Sequence, residues 1–239
     1  MGNPAVSLAS GVIRIPTLGD YINSFAFTDD DGSVTLVDCG LKRAPARIVA
    51  GLAEIGKNPS DVTRIILTHA HPDHAGGAAA MLDATGVDGV DAHESDAAYL
   101  RKGSPPPFDT STTSGRIFAR LPENGFSPVS VATVLTDGDL IPVAGGIRVV
   151  HTPGHTPGHV SLLHEPSGVL ITGDSIFNIA SRRTWPLAAF CTSYAQSKAT
   201  AHLLADLEFG VAAFTHGPEI RDHARERIRD FLRKKSLSE

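Results

Sequence analysis

The stretch His69-Ala70-His71-Pro72-Asp73-His74 puts four candidate metal ligands within six residues. Three imidazoles and a carboxylate are donor types that suit zinc and its borderline neighbours. His69 and His71, two apart, converge on one cation from an extended or loop segment. Asp73 and His74 point elsewhere and can hold a second ion. The alternative is a solvated polar loop that happens to hold three histidines. The scarcity of histidine and the strand-like residues before the cluster weigh against it.

Three later positions complete such a site. His155 lies in Thr152-Pro153-Gly154-His155-Thr156-Pro157-Gly158-His159, where two Pro-Gly pairs hold a tight loop still. Asp174 follows Leu170-Ile171-Thr172-Gly173, and His216 follows Ala213-Phe214-Thr215. His69, His71, Asp73, His74, His155, Asp174 and His216 make seven ligands, about what two zinc ions need if Asp174 bridges them and a water fills the gap. The expected division is His69, His71 and His155 on one ion, Asp73, His74 and His216 on the other, and Asp174 between. Taken singly, each later residue also reads as a structural polar group, a common fate of such residues; the first cluster weighs against that reading. His159 is either a support for a ligand or a loop residue. Asp38, at an early strand end, either orients a ligand imidazole through its second nitrogen or is a turn carboxylate. His93 is expected in the core or near the site, His151 in a strand, and His164, His202 and His223 on the surface.

The elements that must position these residues are short. Arg64 to Thr68 reads as a buried strand and Ala75 to Ala84 as a helix, so the cluster sits where a strand hands over to a helix. Val12 to Pro16, Ile22 to Thr28 and Ser33 to Val37 read as strands, with Asp29-Asp30-Asp31-Gly32 as a hairpin turn. Arg43 to Ile55 has helical spacing and ends at Gly56. Gly89 to Ala92 reads as a strand, and Glu94 to Arg101 as a helix. Strands resume at Thr133 to Leu135, Gly146 to Val150, Val160 to His164 and Val169 to Thr172, before an irregular stretch from Ser175 to Ser193. Gln196 to Leu207, Val211 to Thr215 and Glu219 to Lys235 read as helix, strand and closing helix. Every ligand segment follows an apolar strand, and runs of strands flanked by helices predict two packed sheets with helical outer layers. Residues 103–130, with Ser104-Pro105-Pro106-Pro107 and a short helix at Arg116 to Leu121, are either a lid facing the substrate or a plain surface connection.

The chain's 239 residues suit one domain, 1–239, better than two. A formal charge of −5 gives no reason to expect nucleic acid or an anionic membrane as partner. Two cysteines, Cys39 and Cys191, make no disulfide framework, Met1 to Pro16 lacks the pattern of a signal peptide, and no stretch of about 18 apolar residues exists. The expectation is a cytoplasmic protein acting on a small molecule, with oligomeric state open and a homodimer among the outcomes.

These motifs resemble those of the metallo-β-lactamase superfamily. The family's HxHxDH signature stands at His69 to His74, and its later His, bridging Asp and final His match His155, Asp174 and His216. The likeness runs from about Val12 to the last helix and implies an α/β fold, the four-layer αββα sandwich, with the metals at one edge of the two sheets. The final motif reads Thr-His-Gly, where Gly-His-Gly is frequent in the family. The presence of Asp174 is more similar to the glyoxalase II and lactonase branches than to true β-lactamases. Only about 23 residues follow His216, too few for the longer helical C-terminal part of glyoxalase II.

The resemblance implies a hydrolase, with two zinc ions (iron or manganese as alternatives) holding a bridging hydroxide that attacks an ester, lactone or thioester. Asp73 is the expected catalytic residue, binding metal and orienting the nucleophile. A mononuclear iron sulfur dioxygenase of the same fold, a true β-lactamase and a catalytically silent binding protein are the competing readings. Substrate choice falls to other segments. Arg182-Arg183 either meet an acidic substrate group or are solvated. Trp185, Phe190 and Tyr194 either wall a pocket or pack the core, with Tyr194 a candidate donor to a carbonyl. Cys191 has no partner base legible in sequence and is not expected to be a nucleophile.

Overall fold

A computed structural model of the chain describes residues 4–120 and 124–236. Its first sheet has seven strands in sequence order: β1 (Val6–Ala9), β2 (Val12–Pro16), β3 (Asn23–Thr28), β4 (Val34–Val37), β5 (Val62–Ile66), β6 (Val90–His93) and β7 (Val131–Leu135). The first four form an antiparallel meander, and β4 to β7 run parallel. The crossovers between these parallel strands carry α1 (Pro45–Glu54), the short α2 (Pro72–Ala75), α3 (Ala78–Thr85), α4 (Glu94–Lys102) and α5 (Thr113–Phe118). A second sheet contains β8 (Leu140–Ile141), β9 (Ile147–His151), β10 (Val160–His164), β11 (Val169–Ile171) and β14 (Val211–Ala213), in the spatial order β14-β11-β10-β9-β8. The hairpin β12 (Phe177–Ile179) and β13 (Arg182–Thr184), then α6 (Tyr194–Ala201), lead to β14, and α7 (Ala224–Ser236) closes the fold.

Alternation along the strands assigns the layers. Leu162, Val149, Ile171 and Ala213 point into a core shared with Phe25, Phe27, Val37 and Ile66 of the first sheet. Their neighbours Leu163, Val150, Leu170 and Ala212 point the other way, onto Ala201, Leu204, Ile228 and Leu232 of the last helical layer. On the far side of the first sheet, Ile13, Leu36 and Ile65 pack on Ile48, Leu52, Met81 and Leu100 of α1, α3 and α4. A period of two on strands that are covered on both faces therefore yields three apolar seams and four layers, αββα. No helix among the described residues is long and apolar enough to cross a membrane.

Several boundaries differ from the sequence expectation. The helix after the His cluster breaks at Gly76-Gly77, because a Cβ at Gly76 would lie 2.1 Å from the Pro72 carbonyl oxygen and one at Gly77 2.3 Å from that of Cys39. The chain there presses on the end of β4, so α2 and α3 are separate. The expected helix Gln196 to Leu207 is α6 followed by a 3₁₀ turn over His202–Asp206. The stretch Ser175 to Ser193 holds the β12–β13 hairpin, and β1 and β8 carried no period long enough to read. The helix expected at Arg116 to Leu121 begins earlier, as α5, and Leu121 lies outside the described residues. His164, expected on the surface, is buried beside Ser167 and the Ala144 carbonyl, its imidazole hydrogen-bonded to both.

Candidate metal centre

The loops after β4, β5, β9, β11 and β14 meet at one edge of the two sheets, the usual placement of sites at the carboxyl ends of parallel strands. They bring the donor atoms of His69, His71 and His155 together as one group, those of His69, His74 and Asp174 as a second, and those of Asp73, His74 and His216 as a third; within each group the atoms lie within 4.8 Å of one another. Asp174 reaches both ends of the cluster. Its Oδ2 lies 3.1 Å from His155 Nε2 and 3.3 Å from His216 Nε2, and its Oδ1 lies 3.4 Å from His74 Nε2. Asp73 Oδ2 lies 3.4 Å from His216 Nε2 and 3.7 Å from His74 Nε2.

The rear nitrogens of His69, His74 and His216 are anchored by oxygen acceptors, which fixes the direction in which each ring presents its Nε2. Thr68 donates to Asp38 twice, from its N–H to Oδ1 and from its hydroxyl to Oδ2, each at 2.8 Å. That hydroxyl then accepts from His69 Nδ1 at 3.0 Å, which leaves His69 Nε2 a bare acceptor. His74 Nδ1 donates to Asp38 Oδ2 at 2.8 Å, which turns its Nε2 toward Asp174 and Asp73. His216 Nδ1 donates to the Tyr21 carbonyl at 2.6 Å, and His155 Nδ1 faces Cys191 Sγ at 3.6 Å. His69 Nε2 and His74 Nε2 are buried and have no hydrogen-bond partner. Buried ring nitrogens are not normally left unpaired, so this pair, facing a third imidazole and two carboxylates, fits divalent cations of the zinc class. Asp38 thus orients one imidazole directly and a second through Thr68, and it holds φ of +58° to do so.

A further tier holds the loops. His159 donates from Nδ1 to the Thr152 carbonyl at 3.0 Å and accepts at Nε2 from the Asp174 N–H at 2.7 Å, so it is a neutral support for the Asp174 backbone. Burial pushes its pKa down to about 3. Gly173 is required here: it sits at φ +54°, and a Cβ would lie 2.4 Å from His159 Nε2. Thr215 donates its hydroxyl to Asp174 Oδ1 at 2.7 Å, so the Thr of Thr-His-Gly steers the carboxylate between the two ends of the cluster.

Asp96 on α4 accepts from the Ala70 N–H, the Thr156 hydroxyl and the Gly158 N–H, at 2.8, 2.7 and 2.7 Å, and so joins the first ligand loop to the His155 loop. Sequence reading missed Asp96, because a carboxylate in the first turn of a helix is ordinarily a dipole partner. His93, near that helix start, accepts from the Ser95 N–H and stacks on His151, away from the donors.

The electrostatics are those of the cation-free protein. Burial would lower the pKa of His74, but the carboxylates of Asp174, Asp73 and Asp38 outweigh it and raise it to about 9. The same balance, led by Asp174, raises His216. Burial, then His155, lowers His71 to about 3. A histidine raised when folded contributes stability that is complete below its unfolded value near 6.5 and is lost as pH climbs through the folded value. The Tm of the chelated protein is therefore expected to fall between about pH 7 and pH 9.5. Divalent-cation affinity should rise over the same range, because the cation must displace the His74 proton. Thermal scans and zinc titrations across that range check both; a chelated Tm that rises with pH contradicts the assignment.

Other candidates fall elsewhere. Arg182 and Arg183 lie on β13, and Arg183 lines a small separate cavity with Arg227, Asp230 and Phe231; neither arginine reaches the cluster. Trp185 packs on Phe231 with ring centroids 4.8 Å apart, and Tyr194 starts α6 with the Lys198 ammonium over its ring. Of the three aromatics proposed as walls, Phe190 alone lines the cavity. Cys191 does have a neighbouring base, His155, yet burial pushes its thiol up to about 12, which keeps it protonated.

Residues 18–226 match the family described as the metallo-beta-lactamase superfamily. A relative from Bacillus subtilis (strain 168), the protein YobT, is 30% identical over 218 residues, covering 86% of this chain and 87% of its own. The hydroxyacylglutathione hydrolase GloC of Haemophilus influenzae is 27% identical over 171 residues, covering 71% and 74%. Among solved structures, a metallo-beta-lactamase family protein from Thermus thermophilus superposes with a TM-score of 0.73 at 27% identity, covering 97% of this chain and 81% of that one.

Proposed function

The chain belongs to the metallo-beta-lactamase superfamily, a family of metal-dependent hydrolases, and on that footing we propose that it hydrolyses a small-molecule ester, lactone or thioester with two zinc ions. The observation that carries this reading is the pair of buried ring nitrogens without a hydrogen-bond partner, His69 Nε2 and His74 Nε2, which meet Asp174 in the middle of a donor cluster that continues to His71 and His155 on one side and to Asp73 and His216 on the other. His69, His71 and His155 would hold one cation, and Asp73, His74 and His216 the other, with Asp174 serving both. Bound there, the cations supply Lewis acidity, making water acidic near neutral pH and polarising a carbonyl.

The chain's own residues do the rest. Asp73, whose side chain is 32% exposed against 4% for Asp174, faces the cavity and orients the attacking water by accepting its hydrogen bond. Apolar walls flank the cluster, so a substrate seated against them displaces solvent from around its carbonyl. Asp38, Thr68, His159 and Thr215 keep the donors fixed, so little reorganisation accompanies the reaction.

Elemental analysis of protein purified without chelator tests the reading, together with a panel of esters, lactones, thioesters and a β-lactam. About two zinc per chain with ester, lactone or thioester turnover supports it. One iron, with oxygen consumed on a persulfide, overturns it, and so does turnover confined to the β-lactam. A single-ion site would leave Asp73 and His216 converging on His74 without a role, which favours two.

A further inference from the structure

The cavity over the donor cluster measures about 780 Å³, within the range that takes a drug-sized ligand. Its walls are dominated by Phe108, Phe118, Phe177, Phe190, Leu187 and Ile179. Among the described residues no lysine or arginine lines it; its charged groups all belong to the donor cluster, the carboxylates of Asp73 and Asp174 and the imidazole of His216. Three of the rings form one edge-to-face set. Phe118 and Phe190 have centroids 5.1 Å apart at 71°, and Phe108 lies 6.4 Å from the first and 6.3 Å from the second. Leu187 is 61% exposed and Phe190 38%, so the wall presents large apolar side chains to an open space beside the cluster.

This wall is built on the same frame as the donors. Phe108 and Phe118 belong to the 103–130 excursion, which Asp109 ties down: its N–H donates to the Cys191 carbonyl at 2.6 Å, and its carboxylate accepts from the Ser111 and Tyr194 N–H groups. The next residue, Thr192, donates its N–H to the His155 carbonyl at 2.9 Å. A short hydrogen-bonded chain therefore runs from Asp109, beside Phe108 in the aromatic wall, to a ligand loop.

We propose, resting on the hydrolase reading above, that the substrate is a neutral ester or lactone carrying an aromatic ring system, seated against Phe108, Phe118 and Phe190. Rings offer edges and faces that complete the set these three leave open, which a flexible alkyl chain does not. In a glutathione thioester the carboxylates are remote from the acyl carbon that must reach the donor cluster, so they would lie along the apolar walls, where no lysine or arginine among the described residues meets them, and burying an unpaired carboxylate is strongly unfavourable. The reaction is plain hydrolysis. The water oxygen bonds to the acyl carbon, the bond to the alcohol oxygen breaks, one water proton ends on the alcohol, and the acid ionises; no further reactant is needed.

The test uses the zinc-loaded full chain and three substrates. 2-(2-Naphthyl)ethyl acetate and octyl acetate have similar leaving alcohols and differ in the ring; S-lactoylglutathione supplies the anionic thioester. The naphthyl ester is expected to exceed octyl acetate by about tenfold in kcat/KM and the thioester by more. Phe118→Leu and Phe190→Leu keep an apolar side chain and are expected to abolish most of the naphthyl-over-octyl preference, chiefly through KM. Separately, the neutral dye N-phenyl-1-naphthylamine, titrated by fluorescence into chelated and loaded protein, should bind both and weaken about tenfold in either variant. Equal rates for the two acetates, a preference for the thioester, or dye binding unchanged by the substitutions overturns the proposal while leaving the hydrolase reading standing. Dye binding that follows the phenylalanines, with no ester, lactone or thioester of the wider panel hydrolysed, supports the ring site and instead removes the hydrolase reading.

Discussion

Asp174→Ala is expected to lower turnover by about a thousandfold or more, roughly 4 kcal/mol of transition-state stabilisation, and to take cation content from two per chain to one or fewer. The reason is position. Among the described residues Asp174 is the carboxylate that faces His155, His216 and His74 together, so it reaches both halves of the cluster. Without it, His74 and His216 lose the carboxylate that most favours their charged forms, and the Thr215 hydroxyl loses its acceptor. Asp174→Asn separates charge from shape: it preserves volume and an oxygen for Thr215, yet a carboxamide is a poor cation ligand, so its rate should stay near that of the alanine variant. Circular dichroism verifies folding. Either variant retaining two zinc ions and the parent rate would remove Asp174 from the centre.

Asp38→Ala should show the second-largest effect, on stability as well as on cation affinity. The side chain is fully buried and satisfies three donors: the Thr68 N–H, the Thr68 hydroxyl and His74 Nδ1. Each buried donor left unpaired costs about 1–3 kcal/mol, and because the three share one acceptor the sum falls short of simple addition. Alanine also takes over a backbone at φ +58°, where Asp and Asn are tolerated and other residues are strained. Because the substitution frees the rear nitrogen of His74 and loosens Thr68 behind His69, zinc affinity should fall by about 10–100-fold. Asp38→Asn keeps one acceptor and the tolerance of positive φ. It should recover part of the Tm measured on chelated protein while zinc affinity remains depressed. If Asp38→Asn restores affinity in full, the carboxylate is only a fold element.

The candidate donors were legible from the chain alone because their signals are local. HxHxDH lies within six residues, and His155, Asp174 and His216 each follow an apolar run that could only be a short buried strand. The alternation of those runs also predicted two sheets covered by helices, and the resemblance supplied the layer order that the three apolar seams display. Elements without a period, such as β8 with two residues and the β12–β13 hairpin, left no such trace.

What only the tertiary structure decided are relations between residues far apart in the chain. Asp96 reaches Gly158 across 62 residues, Thr215 reaches Asp174 across 41, and Phe108 and Phe118 close a wall with Phe190. Neither hydropathy nor turn chemistry encodes such pairings, since each depends on how one loop is pressed against another by the packing of α4, α5 and α6. The same packing directs Arg183 to a separate cavity and keeps both neighbouring arginines away from the donors, leaving the cavity walls apolar. Residue types and spacing thus determined which atoms are available to a cation, while the burial and orientation of those atoms, and the character of the walls around them, followed from long-range packing.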